Sequence, residues 1–145
     1  MAELPALEQI AIRPATFADY KIIRVYDEFL GDRRLDIQRR ELFVADNGDH
    51  SAAGFLKITA SSFLDRPLVE IVCVAPAQRR QGIATRLLDA ACKQYHGCEI
   101  YLTTEKSNVI MQQLLDTCGW AQVGSIAGFN IGGELELIYR TGHWI

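Results

Sequence analysis

Apolar positions along this chain follow two rhythms, one of period two and one near 3.6, and their succession lays out an alternation of strands and helices. Ile10-Ala11-Ile12-Arg13 predicts a short strand closed by Pro14. Thr16 then reads as an N-cap, with Asp19 in the first turn, where negative charge suits the helix dipole. Phe17, Tyr20, Ile22, Ile23, Tyr26 and Leu30 recur at helical spacing up to Gly31, and a second helical piece covers Arg33 to Arg40. Leu42 to Ala45 and Ala53 to Ile58 are strand-like runs flanking Asp46-Asn47-Gly48-Asp49, and Asn-Gly between two such runs signals a hairpin. The segment from Ser61 to Pro67 joins the second of them to the next strand, Leu68 to Ala75.

The C-terminal half continues the pattern. Gly82 to His96 is a helix with Ile83, Leu87, Leu88, Ala91, Cys92 and Tyr95 on one face, Lys93 and His96 near its end and Gly97 just past it. Glu99 to Thr103 alternates as a strand. Ser107 or Asn108 caps a helix whose Ile110, Met111, Leu114, Leu115 and Cys118 face inward and which Gly119 ends. Trp120 to Ile126 and Leu135 to Arg140 are two last strands around a loop from Gly128 to Gly133. The order is β-α-(α)-β-β-β-α-β-α-β-β, and at 145 residues one domain spanning 1–145 is the expectation.

The most informative stretch is Val72 to Leu88. A β-branched strand runs into a basic turn, Arg79-x-x-Gly82-x-Ala84, and then a helix. Such a junction aims several backbone N–H groups and the positive end of a helix dipole at one spot, which suits phosphate. Gly82 permits close approach, Ala84 crowds nothing, and Arg79 and Arg80 add cationic charge. The plain alternative is an ordinary strand–helix turn.

Composition narrows the classes. Apolar residues make up 49% of the chain and charged residues 23%, as in soluble globular proteins, and the net charge is -3. A general nucleic-acid binder is usually basic, so no nucleic-acid partner is expected, although Arg79 and Arg80 can hold a polyanion locally. Glu3 and Pro5 stand where a secretory leader has a basic stretch, and no run approaches the ~18–20 apolar residues of a membrane span, so a cytoplasmic chain without a membrane partner is expected. Cys73, Cys92, Cys98 and Cys118 form no Cys-x-x-Cys pair and read as small buried hydrophobes. His50, His96 and His143 are scattered, so no metal site is expected. Arg33-Arg34 and Arg39-Arg40 are interspersed with Asp27, Glu28, Asp32 and Asp36, the pattern of a solvated face.

The stretch from Val72 to about Leu88, with Val74-Ala75-Pro76 as its lead-in, resembles the acetyl-CoA-binding motif of the GNAT superfamily of N-acetyltransferases, and the order of elements is similar to that family's over nearly the whole chain. The resemblance implies a mixed α/β fold with a mostly antiparallel central sheet, splayed at the fourth and fifth strands and flanked by helices. It implies acetyl-CoA as cosubstrate, with no metal, and transfer of the acetyl group to a primary amine of a small molecule, peptide or protein by direct attack. The protein would act as a monomer or homodimer. Val72, Cys73 and Val74 would line the pantetheine arm, and the N–H of Val74 would polarise the thioester carbonyl. Arg79, Arg80, Gln81, Gly82, Ile83, Ala84 and Thr85 would hold the pyrophosphate.

Glu70 is an acid inside an apolar strand, sharing a face with Val72 and Val74 under strict alternation. Several enzymes of the family carry a Glu four residues before the Val of Val-x-Pro, which helps deprotonate the amine, and partial burial with a raised pKa would suit that work. The structural alternative is a solvated or salt-bridged strand-end residue. Asn108 matches a family Asn that contacts the cofactor arm, and it is equally suited to cap a helix; Gly119 and Trp120 match the closing Gly-Phe of the same motif. The chain departs from the family at Leu115, where a Tyr commonly protonates the departing thiolate, and Met111 stands where Ala is common. Tyr101 and Tyr139 are possible substitutes or plain core aromatics. The missing Tyr keeps an alternative open, a non-catalytic acyl-CoA-binding sensor.

Overall fold

The computed structural model describes residues 10–29, 31–48 and 51–141; Glu3, Pro5, Leu30, Asp49, His50 and His143 lie outside them. Its elements are β1 (Ala11–Pro14), α1 (Phe17–Tyr26), α2 (Arg34–Gln38), β2 (Leu42–Asp46), β3 (Ala52–Phe63), β4 (Arg66–Val74), a 3₁₀ turn (Pro76–Gln78), α3 (Ile83–Gln94), β5 (Tyr101–Glu105), α4 (Val109–Thr117), β6 (Trp120–Ile126) and β7 (Glu136–Thr141). The order matches the one read from the sequence. Hydrogen-bonded neighbours run β1-β2-β3-β4-β5-β7-β6. The pairs β1–β2, β2–β3, β5–β7 and β6–β7 are antiparallel, and β4–β5 is parallel. Among the described residues the β4–β5 ladder holds only Leu68↔Tyr101 and Val69↔Leu102, while β4 continues to Val74. This is the splay expected at the fourth and fifth strands.

The chain divides into two compact units, Met1–Ile58 with Ile71–Ala91, and Thr59–Glu70 with Cys92–Ile145. In the first, Ala15, Ile23, Ile37, Leu42, Val44, Ala52, Phe55 and Cys73 form a buried core flanked by Tyr20, Ile22, Tyr26 and Ile71. On the other face of β3, Gly54 admits α3. A Cβ there would stand 3.0 Å from the Cys73 carbonyl oxygen and 3.1 Å from Cγ2 of Ile83, so only glycine lets the helix seat this close. In the second unit α4 packs on β6, with Leu115, Trp120, Leu102, Leu137 and Tyr139 buried.

Several sequence expectations shift. Helix α1 stops at Tyr26 rather than Gly31, because the Asp27 carboxylate accepts from the Phe29 N–H at 2.9 Å and from Nε of Arg33 at 2.9 Å and turns the chain. The segment 61–67 is no linker. β3 runs to Phe63, β4 starts at Arg66, and Leu64 and Asp65 turn the hairpin with φ of 51° and 66°. Ile110 is 81% exposed instead of inward-facing, since α4 buries Leu115. Cys98 is exposed in the turn after α3. The charges around α2 form a solvated face only in part: Glu28, Asp32, Arg34, Arg39 and Arg40 are exposed. Asp27, Arg33 and Asp36 are buried, Arg33 bridging both acids, with Lys57 3.1 Å from Asp36 and the Phe55 ring under the guanidinium.

Candidate active site

The last turn of β4 decides which backbone groups are on offer. Ala75 donates its N–H to the Ala53 carbonyl at 2.8 Å, and the Cys73 carbonyl lies over Gly54, so both face β3. Strand backbone groups alternate in direction, so the N–H and C=O of Val72 and Val74 point away from β3. Cys73 itself is buried, its thiol 3.8 Å from the Tyr26 carbonyl oxygen, and burial pushes the thiol pKa up, which keeps it protonated and inert. The neighbouring Tyr26 hydroxyl donates to the Ala52 carbonyl at 2.8 Å, and burial raises its pKa too.

After β4, Pro76 opens the 3₁₀ turn and the chain enters α3 through residues 79–82. Arg80 has φ 67° and Gly82 φ 76°. The left-handed conformation is free for Gly82 and costs a non-glycine roughly 1 kcal/mol, so Arg80 is held there against preference. The first helical bond runs from the Arg86 N–H to the Gly82 carbonyl at 3.1 Å. The N–H groups ahead of it have no acceptor inside the helix, as at any helix start. Arg80 and Gly82 are exposed, Gln81, Ala84 and Thr85 half-buried, and Ile83 is buried against the sheet. The Arg86 guanidinium donates to the Ile10 carbonyl at 2.6 Å and ties the helix start to β1. Thus Val72, Cys73, Val74 and the whole run from Arg79 to Thr85 lie within one compact unit.

Arg79 departs from the expectation of a phosphate-facing cation. Its Nε donates to the Val74 carbonyl at 3.1 Å, and its terminal nitrogen pairs with Glu28. Glu28 carries no local sequence signal, because the pairing joins residues far apart in the chain.

Glu70 and Asn108 belong to the second unit. Glu70 is exposed rather than partly buried, and the Ser62 hydroxyl lies 3.5 Å from its Oε1. Alternation on β4 explains this: Val69 and Cys73 turn into the protein and Glu70 turns out. Asn108 caps α4, its Oδ1 accepting from the Met111 N–H at 3.2 Å. That leaves its amide nitrogen as the side chain's donor. Gln112, which the sequence did not single out, donates from Nε2 to the carbonyls of Lys106 at 2.7 Å and Asn108 at 3.1 Å and pins the turn before α4.

Leu115 is fully buried. The Tyr101 hydroxyl donates to Glu99 at 2.8 Å, and its ring stacks on Phe63 at 5.1 Å. Tyr139 is buried, and burial, helped by Asp116, raises its pKa. Among the described residues no helix is long and apolar enough to cross a membrane.

Solved structures share the fold. The chain is similar to a GNAT-family acetyltransferase from Bacillus cereus, at 25% identity over 92% of this chain and 96% of that one, with a TM-score of 0.76. The ribosomal-protein alanine N-acetyltransferase from Escherichia coli superposes with a TM-score of 0.72 at 18% identity, covering 91% and 92% of the two chains. An assigned streptothricin acetyltransferase from Bacillus anthracis, in complex with acetyl coenzyme A, gives a TM-score of 0.62 at 18% identity over 70% of this chain and 61% of that one. Among curated protein sequences none matches significantly. The family model described as acetyltransferase (GNAT) family matches residues 5–120, the span that holds β4, the turn and α3, and the chain belongs to that family.

Proposed function

We propose that the protein transfers the acetyl group of acetyl-CoA to a primary amine of a small molecule, peptide or protein. One observation carries the reading: β4 leaves its β5 ladder after Val69, continues to Val74 with alternate backbone groups turned away from β3, and ends in the left-handed turn that opens α3.

In this reading the N–H groups of Gly82, Ile83 and Ala84, with Gln81, Thr85 and Arg80 beside them, receive the pyrophosphate. The pantetheine arm pairs with Val72, Cys73 and Val74 as a short extra strand, and the Val74 N–H meets the thioester oxygen. The amine lone pair attacks the carbonyl carbon. The C–N bond forms, the C–S bond breaks, and its electron pair leaves on the thiolate without a covalent enzyme intermediate. Glu70 accepts the ammonium proton, directly or through water. Leu115 has no proton to give, and a thiolate of pKa ~8.5 leaves without an acid. The Asn108 amide nitrogen, its side chain fixed by the cap bond from the Met111 N–H, serves the cofactor arm.

The test is thiol release from acetyl-CoA across a panel of amines, beside calorimetry with CoA. Amine-dependent release, and loss of CoA affinity in a folded Gly82→Trp variant, support the reading. Saturable CoA binding with no release for any amine favours the sensor, which the buried Leu115 keeps in view.

A further inference from the structure

The first arginine of the turn does not behave as its position suggests. Nε of Arg79 lies 3.1 Å from the Val74 carbonyl oxygen, and the far nitrogen is paired with Glu28. A guanidinium is a rigid planar fork, so two acceptors at two of its nitrogens fix its plane. The peptide joining Val74 to Ala75 is thereby held at both ends, its N–H by the Ala53 carbonyl at 2.8 Å and its C=O by Arg79. A peptide unit is planar, so this sets the backbone torsion that follows Cα of Val74 and the direction in which the strand leaves the sheet. Glu28 also places a negative charge on the side of Arg79 that a diphosphate would need, and two like charges at one guanidinium repel. Arg80, exposed and held in a left-handed conformation, has no such carboxylate partner among the described residues.

We propose that Arg79 is a positioning residue for acetyl transfer: it clamps the Val74 peptide, Glu28 orients the clamp, and the diphosphate is met by the turn's N–H groups and Arg80. The inference rests on the reading of the Val74 N–H as the donor to the thioester oxygen. Such a donor accelerates the reaction only if it already points at the developing charge, so an agent that fixes the adjoining peptide acts on turnover more than on binding.

Arg79→Lys separates the clamp from a phosphate contact, because lysine keeps the charge and loses the fork. The clamp predicts that kcat at saturating acetyl-CoA falls about tenfold, below the ~10²–10³ that loss of an oxyanion donor itself costs. CoA affinity by calorimetry then stays within about threefold, and S-acetylpantetheine, the same thioester without the diphosphate, slows in parallel. Glu28→Gln shifts kcat the same way by a smaller factor and serves if an Arg79 variant fails to fold. Arg79→Lys at wild-type kcat, with Arg79→Gln weakening CoA binding and leaving S-acetylpantetheine turnover intact, overturns the proposal and returns Arg79 to the phosphate. A wild-type protein that neither binds CoA nor releases thiol fails earlier, at the acetyl-transfer reading, and takes the clamp with it.

Discussion

Arg33 and Arg79 each bind carboxylate in the same compact unit, but the Arg33 side chain is 7% exposed and the Arg79 side chain 48%. Around Arg33 everything is closed. Asp27 and Asp36 take its hydrogen bonds, the Phe55 ring lies 5.8 Å beneath, and a Cβ on Gly31 would come within 2.6 Å of the guanidinium carbon. Around Arg79 water reaches the pair from outside, so the attraction is screened and the side chain stays free to work on the backbone beside it. The same functional groups thus make a buried fastener where water is excluded and a solvent-screened tie to the backbone where it is not.

The largest effect should come from breaking the closed cluster. Arg33→Met leaves the buried Asp27 carboxylate without its cation and Asp36 with Lys57 alone, and should lower stability by about 3–5 kcal/mol in urea titration, whereas an unchanged midpoint would mean that the cluster is wetter than its burial implies. In the second unit, the readout for exposed Glu70 is rate. Glu70→Gln keeps shape and removes basicity, so kcat/KM should fall roughly 10- to 10³-fold near neutral pH with CoA affinity steady. Higher pH should partly restore it, as free amine becomes available without help. Wild-type turnover across the pH range would leave Glu70 an ordinary strand residue.

In the first unit, Gly54 is the close-packed floor under α3. Gly54→Ala should cost about 1–3 kcal/mol by overpacking against the Cys73 carbonyl and Ile83, and should weaken CoA binding as the turn above shifts. A stable variant with wild-type CoA affinity would show that the helix start tolerates displacement. The smallest effect is one of pH. Burial alone would push the Asp19 carboxyl up, but hydrogen bonds from Arg13 and from the Thr16 N–H, with the Arg13 charge, hold it below the usual range. A carboxyl that titrates lower folded than unfolded adds stability above about pH 4, lost as pH falls through the folded value. Asp19→Asn should therefore flatten the acid limb of a stability–pH curve, and an unaltered limb would assign it to other acids.

The sequence carried the order of elements and the strand–turn–helix, because period and turn chemistry are local. It missed what depends on distant partners. Four acids are interleaved with four arginines between Asp27 and Arg40, and spacing alone cannot tell that Asp27 and Asp36 meet a buried Arg33 while Asp32 pairs with Arg34 in water. The end of α1 was hidden for the same reason, since the side chain that competes for its backbone is anchored by Arg33. The β3–β4 turn escaped because Leu64-Asp65 lacks the Asn or Gly that such a turn favours. At the candidate site the backbone segment was legible, whereas the distant carboxylate that Arg79 pairs with, Glu28, and the Gln112 side chain that bonds the Asn108 carbonyl were not.

That two-residue turn also bears on how the chain assembles. β4 meets β3 through neighbours in sequence, and a hairpin of this kind closes in about 1–10 μs. Its parallel register with β5, Leu68 against Tyr101, must wait for distant segments to come together. During that interval β4 has one edge satisfied and one open, which invites pairing with another copy of itself. Pulse-labelled hydrogen exchange should find amides near the β3–β4 turn protected before those of β5, and early aggregates should grow from β4, the strand whose ladder with β5 ends at Val69.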